Sequence, residues 1–186
     1  MSEPICKVAD IIYVRFELIE FEAQKKYFNH FGLMLAHEDD NSIFFRGSGT
    51  SPYVYVATKG KENKYIGTAY KANEYSDLEA LSKKFNVDIV ENNDPGGGHK
   101  VTVADPDGIE VEICHGMTPA EPMAVVSKVL NTGQFKQREN ELQRFGKASA
   151  EWEVQGDKWI YKLKSNVKRL GHTAINVRDA KASVDW

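Results

Sequence analysis

The sequence predicts an α+β fold made by repetition, two successive βαβββ units, and two observations carry that reading. The order strand, helix, three strands occurs twice before residue 116, at a period of roughly fifty residues, the mark of a chain assembled from supersecondary repeats. Within each unit, clusters of Gly, Pro, Asn and Asp punctuate the apolar stretches and separate short strands.

The first unit opens with an apolar strand, Asp10-Ile-Ile-Tyr-Val-Arg15. A helix is expected over Glu17–Phe31, where Phe21, Tyr27, Phe28 and Phe31 fall near helical spacing and read as core. Gly32 stops it, because glycine tolerates the positive φ that follows a helix end. Strands are expected at Leu33–His37, Ser42–Phe45 and Tyr53–Ala57.

The second unit repeats this order. Lys64–Ala72 reads as a strand and Ser76–Phe85 as a helix, with Ser76 as N-cap and Glu79 closing a capping box. Val87–Glu91, His99–Ala104 and Glu110–Cys114 are the following strands. The turns between them are Asp94-Pro-Gly-Gly-Gly98 and Asp105-Pro-Asp-Gly108.

Residues 117–168 break the plan and read as an interdomain connector. Gln134–Phe145 is a candidate helix with a thin apolar stripe. Trp152, Val154, Trp159, Tyr161 and Leu163 alternate with polar residues, which predicts a strand or hairpin around Gly156-Asp157. The repeat then restarts: Arg169–Asp179 reads as a strand ending at an N-cap aspartate, and Ala180–Trp186 as the first turn or two of a helix. We therefore expect a first domain over 1–116, a connector over 117–168, and the truncated start of a second domain over 169–186. Two complete further units would give a chain of about 280–310 residues.

Composition narrows the function classes. Hydrophobic residues make up 41% and charged residues 27%, ordinary values for a globular protein. The longest apolar run falls far short of the roughly 20 residues that span a bilayer, so no membrane partner is expected. Cys6 and Cys114 are too few for a disulfide framework, which with the absence of a signal-peptide pattern points to the cytoplasm. Residues 1–116 carry 12 Lys and Arg against 19 Asp and Glu, whereas 117–172 carry 10 against 6. That is an acidic domain followed by a mildly basic connector without aromatic platforms, so no nucleic-acid partner is expected either.

Two motifs carry a resemblance to a known family. Arg169-Leu-Gly-His172-Thr-Ala-Ile-Asn-Val-Arg-Asp179 resembles the opening of a vicinal oxygen chelate module. Asp105-Pro-Asp-Gly-Ile-Glu-Val-Glu112 resembles its D-P-x-G turn into a strand bearing a glutamate. The superfamily joins glyoxalases, bleomycin-resistance proteins and extradiol ring-cleaving dioxygenases. The resemblance implies that residues 7–115 form a half-open, mostly antiparallel eight-stranded sheet with helices outside. Two modules, a connector and a third module opening on Gly-His are most similar to the extradiol dioxygenases, in which a metal-free domain precedes an iron-bearing one. Arg138-Glu-Asn-Glu-Leu-Gln-Arg-Phe145 in the connector has a softer likeness to the same enzymes.

The resemblance implies an oxidoreductase of aromatic catabolism that cleaves a substituted catechol or polyhydroxylated ring with O2, using Fe(II), with Mn or another divalent metal as the alternative ion. Small aromatic diols and O2 are the expected partners, and a homo-oligomer the expected state. Such a site needs two imidazoles and one carboxylate, leaving open positions for the diol and dioxygen. The resemblance makes His172 a metal ligand. Asp10 and Gly67 take the matching place in the first two units, so Glu112 alone remains there as a candidate ligand and reads as a solvated strand carboxylate. No catalytic residue is assigned, and the chain as it stands is expected to be inert. His30, His37, His99 and His115 read as structural or exposed, and Gly96-Gly-Gly98 as a turn. Two rival classes remain: a glyoxalase-like metal isomerase or epimerase, and a metal-free binding module of the bleomycin-resistance type.

Overall fold

Strand β1 (Val8–Leu18) holds the middle of the sheet, and its alternation explains why it has two buried sides. Tyr13 is buried on one face, while Val14 and Phe16 pack on the core of the other. A computed structural model describes residues 4–123, 152–155, 158–161 and 167–186.

The first unit continues through α1 (Glu22–Phe31), β2 (Met34–Glu38), β3 (Ser42–Arg46) and β4 (Tyr55–Lys59). The second comprises β5 (Lys64–Ala72), α2 (Tyr75–Phe85), β6 (Val90–Glu91), β7 (His99–Ala104) and β8 (Glu110–His115). The eight strands form one sheet in the order β2-β3-β4-β1-β5-β8-β7-β6. Each unit thus contributes the same four-strand pattern, and the two meet antiparallel along β1 and β5, with Tyr13 opposite Ala69. Only the first and last strands of each unit pair in parallel, β1 with β4 and β5 with β8. The α+β class and the eight-stranded, mostly antiparallel sheet agree with the sequence reading.

Both helices lie on one face. Phe28 of α1 packs with Ile43, Phe45, Tyr55 and Ala57, and Leu78 and Leu81 of α2 pack with Ala72, Val101, Val103 and Ile113. The other face carries Tyr13, Phe44, Tyr53, Val56, Ala69 and Cys114. Gly32 ends α1 at φ 98°, donating its amide to Phe28 O. A Cβ at Gly67 would lie 1.9 Å from the Glu110 carbonyl oxygen, so the approach of β5 to β8 at this point requires glycine.

Several sequence expectations are corrected. The helix does not start at Glu17, because β1 stays paired to Leu18 and the Glu17 carboxylate accepts the Lys61 amide at 2.9 Å. Glu20 Oε2 instead accepts the amides of Glu22 and Ala23 at the true start of α1. In α2 the N-cap is Glu74, not Ser76, and Asp77 rather than Glu79 closes the capping box, its Oδ2 accepting the Glu74 amide at 3.0 Å. Tyr27 and Phe31 are not core: they stack on each other and are 58% and 47% exposed. Val87 and Ile89 pack on the α2 side of the core, but only Val90–Glu91 pair as a strand.

Beyond the sheet, β9 (Trp152–Gln155) and β10 (Lys158–Tyr161) form an antiparallel hairpin, as expected of that segment. The proposed helix at Gln134–Phe145 lies outside the described residues. The strand expected over Arg169–Asp179 has no pairing among the described residues, because the sheet's free edges belong to β2 and β6. This segment is instead an arm laid against the eight-stranded sheet and its loops. Ser48 and Gly49 donate their amides to the Val167 and Lys168 carbonyls at 2.8 and 2.9 Å, and Val167 and Leu170 pack on the α1-side core. Arg169 pairs with Asp10 at 2.8 Å, and Thr68 Oγ1 donates to Thr173 Oγ1 at 3.4 Å. Arg178 donates its amide to Asp107 at 3.0 Å and pairs with it through Nε. The arm ends in α3 (Ala180–Asp185), capped by Asp179, with Trp186 against Phe85 at 5.8 Å between ring centroids.

Candidate functional site

The helix-free face brings three strands into one row. Tyr13 on β1 lies opposite Ala69 on β5, Ala69 opposite Glu112 on β8, and Glu112 opposite Thr102 on β7. Arg15 and Glu110 occupy the next row, on either side of Gly67, and Cys114 and Lys100 form a pair on the other side. The backbone register alone therefore converges Tyr13, Arg15, Lys100, Thr102 and Cys114 on Glu112.

Glu112 is 2% exposed, which corrects the expectation of a solvated carboxylate. Its Oε2 accepts the Tyr13 hydroxyl at 2.6 Å, and its Oε1 accepts Thr102 Oγ1 at 3.4 Å. Arg15 Nη1 and Lys100 Nζ each stand 3.2 Å from Oε1. The network extends through Arg15 to Glu110, and through Lys100 to Asp94 at 3.5 Å, which also accepts the Tyr53 hydroxyl at 3.3 Å. A buried carboxylate is tolerated only when paired and hydrogen-bonded, and here both oxygens are engaged.

The protonation states follow from these surroundings. Burial raises the Tyr13 phenol far above its ordinary range, reinforced by Cys114, Tyr53 and Glu112, so it stays a hydrogen-bond donor at every physiological pH. Burial, with Asp94 adding to it, raises Tyr53 in the same way. The Cys114 thiol is pushed up to about 11, chiefly by burial, and is a neutral packing group rather than a nucleophile. Burial works against the Arg15 charge, but Glu112 and Glu110 outweigh it and the guanidinium is raised overall.

A divalent metal does not fit this face. Tyr13 and Ala69, the residues in line with Glu112 on β1 and β5, offer a phenol and a methyl group, and two side-chain cations already neutralise Glu112. Among the described residues, no group of three or more His, Cys, Asp or Glu is placed to hold a metal ion. His172, the predicted ligand, is exposed on the arm, with no hydrogen bond or ion pair among the described residues.

The acid that caps the following helix gives a common reference point for the three units. Asp179 caps α3 seven residues after His172, accepting the amides of Lys181 and Ala182 at 2.9 and 3.1 Å. Glu20 does the same for α1, and seven residues before it stands Tyr13, not Asp10. In the second unit the N-cap of α2 is Glu74, and seven residues before it stands Gly67. The spacing to the capping acid was the signal in the sequence that identifies Tyr13. Arg15 and Lys100 gave no such signal, since their role arises from cross-strand pairing.

Beside this cluster lies a hollow of about 150 Å³, lined among others by Asp10, Ile12, Pro52, Lys71, Cys114 and Met117. No helix of the described residues is long and apolar enough to cross a membrane.

No protein-family profile and no curated protein sequence matches the chain. Solved structures do. The Mn(II)-bound glyoxalase from Novosphingobium aromaticivorans matches 64% of this chain and 43% of its own, at 24% identity and a TM-score of 0.58. An extradiol ring-cleaving dioxygenase from B. fuscum matches 63% of this chain and 35% of its own, at 21% identity and TM-score 0.55. Homoprotocatechuate 2,3-dioxygenase from Arthrobacter globiformis matches 66% and 41%, at 20% identity and TM-score 0.57. At such identities the likeness shows the fold alone, one shared with these glyoxalase and dioxygenase structures, and the chain spans less than half the length of each of them.

Proposed function

We propose, from the vicinal oxygen chelate fold of the first domain, that the chain serves in a metal-dependent extradiol-type dioxygenase. In this reading residues 1–116 are a metal-free module pair and 117–168 a connector. Residues 169–186 then bring His172 as the first ligand of an Fe(II) centre that further modules complete. The substrates would be a substituted catechol or related aromatic diol and O2.

The observation that carries the proposal is the contrast between two equivalent positions. In the first unit the position seven residues before the helix-capping acid holds Tyr13, locked onto a carboxylate that Arg15 and Lys100 have neutralised. In the third unit that position holds His172, whose imidazole is exposed and unengaged among the described residues. A site already satisfied beside a ligand still free is what a division into metal-free and metal-bearing domains requires. Solved dioxygenases of this fold, among them one complexed with 3,4-dihydroxyphenylacetate, support the substrate class.

The described residues supply one imidazole and no complete ligand set, so no reaction step is assigned to them. The binding-module rival needs an open cleft, whereas aromatic rings fill the helix-free face and leave a hollow of about 150 Å³. The glyoxalase-like rival has the support of a Mn(II)-bound neighbour. Anaerobic reconstitution of the intact natural protein with Fe(II), then oxygen uptake with a panel of catechols, separates the readings. Uptake lost in His172→Ala is expected. Metal-dependent turnover without O2 would favour the glyoxalase-like reading, and no uptake with any diol would end the dioxygenase proposal.

A further inference from the structure

We propose that His99 and His115, with Glu91 beside them, form a binding site for a divalent transition-metal ion on the helix-bearing face of the second unit. Glu91 on β6 lies directly opposite His99 on β7, and His99 directly opposite His115 on β8. Directly opposed residues share a face, with Cβ atoms about 4.5–5.5 Å apart, within reach of a common ion. The face is fixed by alternation: His99 sides with Val101 and Val103, His115 with Ile113, all facing α2, while Glu112 and Cys114 point the other way. This row is therefore separate from the Glu112 cluster and does not depend on the function proposed above.

The three side chains are available. Glu91 and His99 are exposed and His115 is half-buried, and none makes a side-chain hydrogen bond or ion pair among the described residues. By contrast, Glu110, Glu112, Asp94 and Lys100 on the same strands and loop are all engaged. Two imidazoles and a carboxylate suit Zn(II), Ni(II) or Cu(II) rather than Mg(II) or Ca(II). As placed, the donors do not surround a common point, and the Tyr75 ring stands against both imidazoles, 5.5 Å from His99 and 5.9 Å from His115 between centroids. Binding an ion therefore requires Tyr75, the first residue of α2 and 37% exposed, to swing its ring away from the imidazoles. Bound there, the ion would tie the short edge strand β6 to β8 at the point where the chain leaves the sheet.

Calorimetric titration of the chain with Zn(II) tests this. One ion should bind with micromolar affinity, weakened about tenfold or more in His99→Gln and in His115→Gln and less in Glu91→Gln. His172→Gln should leave the affinity unchanged, which keeps this site distinct from the proposed catalytic one. All three sites are at or near the surface, so the metal-free variants should keep the parent's thermal midpoint. Zn(II) should raise that midpoint only where both histidines remain. Absence of saturable binding, or an affinity indifferent to both histidine substitutions, would overturn the proposal.

Discussion

Tyr13 on the first strand donates its hydroxyl to Glu112 on the eighth at 2.6 Å, across Ala69 on the strand between them. Arg15 and Lys100 each stand 3.2 Å from the other oxygen of that carboxylate and balance its charge. Tyr13→Phe keeps the ring that packs on Tyr53 at 4.5 Å but removes the donor. One buried oxygen is left unsatisfied, so unfolding free energy should drop by about 1–3 kcal/mol. Urea denaturation with an unchanged m-value would register this, and an unmoved midpoint would show the bond to be dispensable.

The two glutamates of β8 should behave differently although they are two residues apart. Glu112→Gln leaves two cations facing a neutral amide, and breaking a buried pair costs about 3–5 kcal/mol. The low end is expected, because Arg15 and Lys100 keep Glu110 and Asp94 as partners. The Glu110 side chain is 42% exposed, so Glu110→Gln should cost no more than about 1 kcal/mol. Equal costs would mean that burial does not govern this cluster.

The same burial predicts how stability falls in alkali. Cys114 is raised from 9.0 to about 11 by burial, and Cys6 to about 11 by burial and by Asp77. The folded chain therefore holds these protons more tightly than the unfolded chain does. The stabilisation is complete below pH 9, the unfolded value, and is lost as pH rises towards 11. Denaturation midpoints should decline across that window, and less steeply in Cys114→Ala. Alkylation of the native protein at neutral pH should leave Cys114 unmodified.

Period and turn chemistry made the βαβββ order legible, because breaks rich in Pro, Gly, Asn or Asp separate most of the apolar strands. The arm shows the limit of that reading. Arg169–Asp179 has the same apolar alternation as β1, yet a strand needs an edge to join, and that depends on the rest of the sheet rather than on the segment. The Glu112 site was half legible. The D-P-x-G turn located the carboxylate, but its burial comes from Arg15 and Lys100, 97 and 12 positions away in the chain, brought in by strand register. The match of Tyr13 to His172 lies in their common spacing to a capping acid, which strand periodicity does not display.

The arm should be held loosely. Its ion pairs with Asp10 and Asp107 join side chains that are 61% and 79% exposed on the arginine side, each worth about 1 kcal/mol or less. Asp107→Asn should leave the global unfolding midpoint nearly unchanged. It should speed tryptic cleavage after Arg178 by up to about fivefold, the factor that 1 kcal/mol of local opening supplies. Cleavage at the parent's rate would mean that Arg178 is held by its hydrogen bond to the Pro106 carbonyl and its backbone contact instead.

Iron should not bind at His172 in the chain as it stands. A lone exposed imidazole offers one of the three ligands that hold Fe(II) in such sites, and water competes for the rest. Glu112 does not help, since it lies on the helix-free face with both oxygens engaged, whereas the arm contacts Thr68 on the opposite face. Anaerobic titration with Fe(II) should give no micromolar binding that His172→Ala removes, and no oxygen uptake with catechols. Running His99→Gln in parallel assigns any weak binding on the β7–β8 face. Tight binding abolished by His172→Ala alone would mean that this chain completes the site itself, with a second copy supplying the missing ligands.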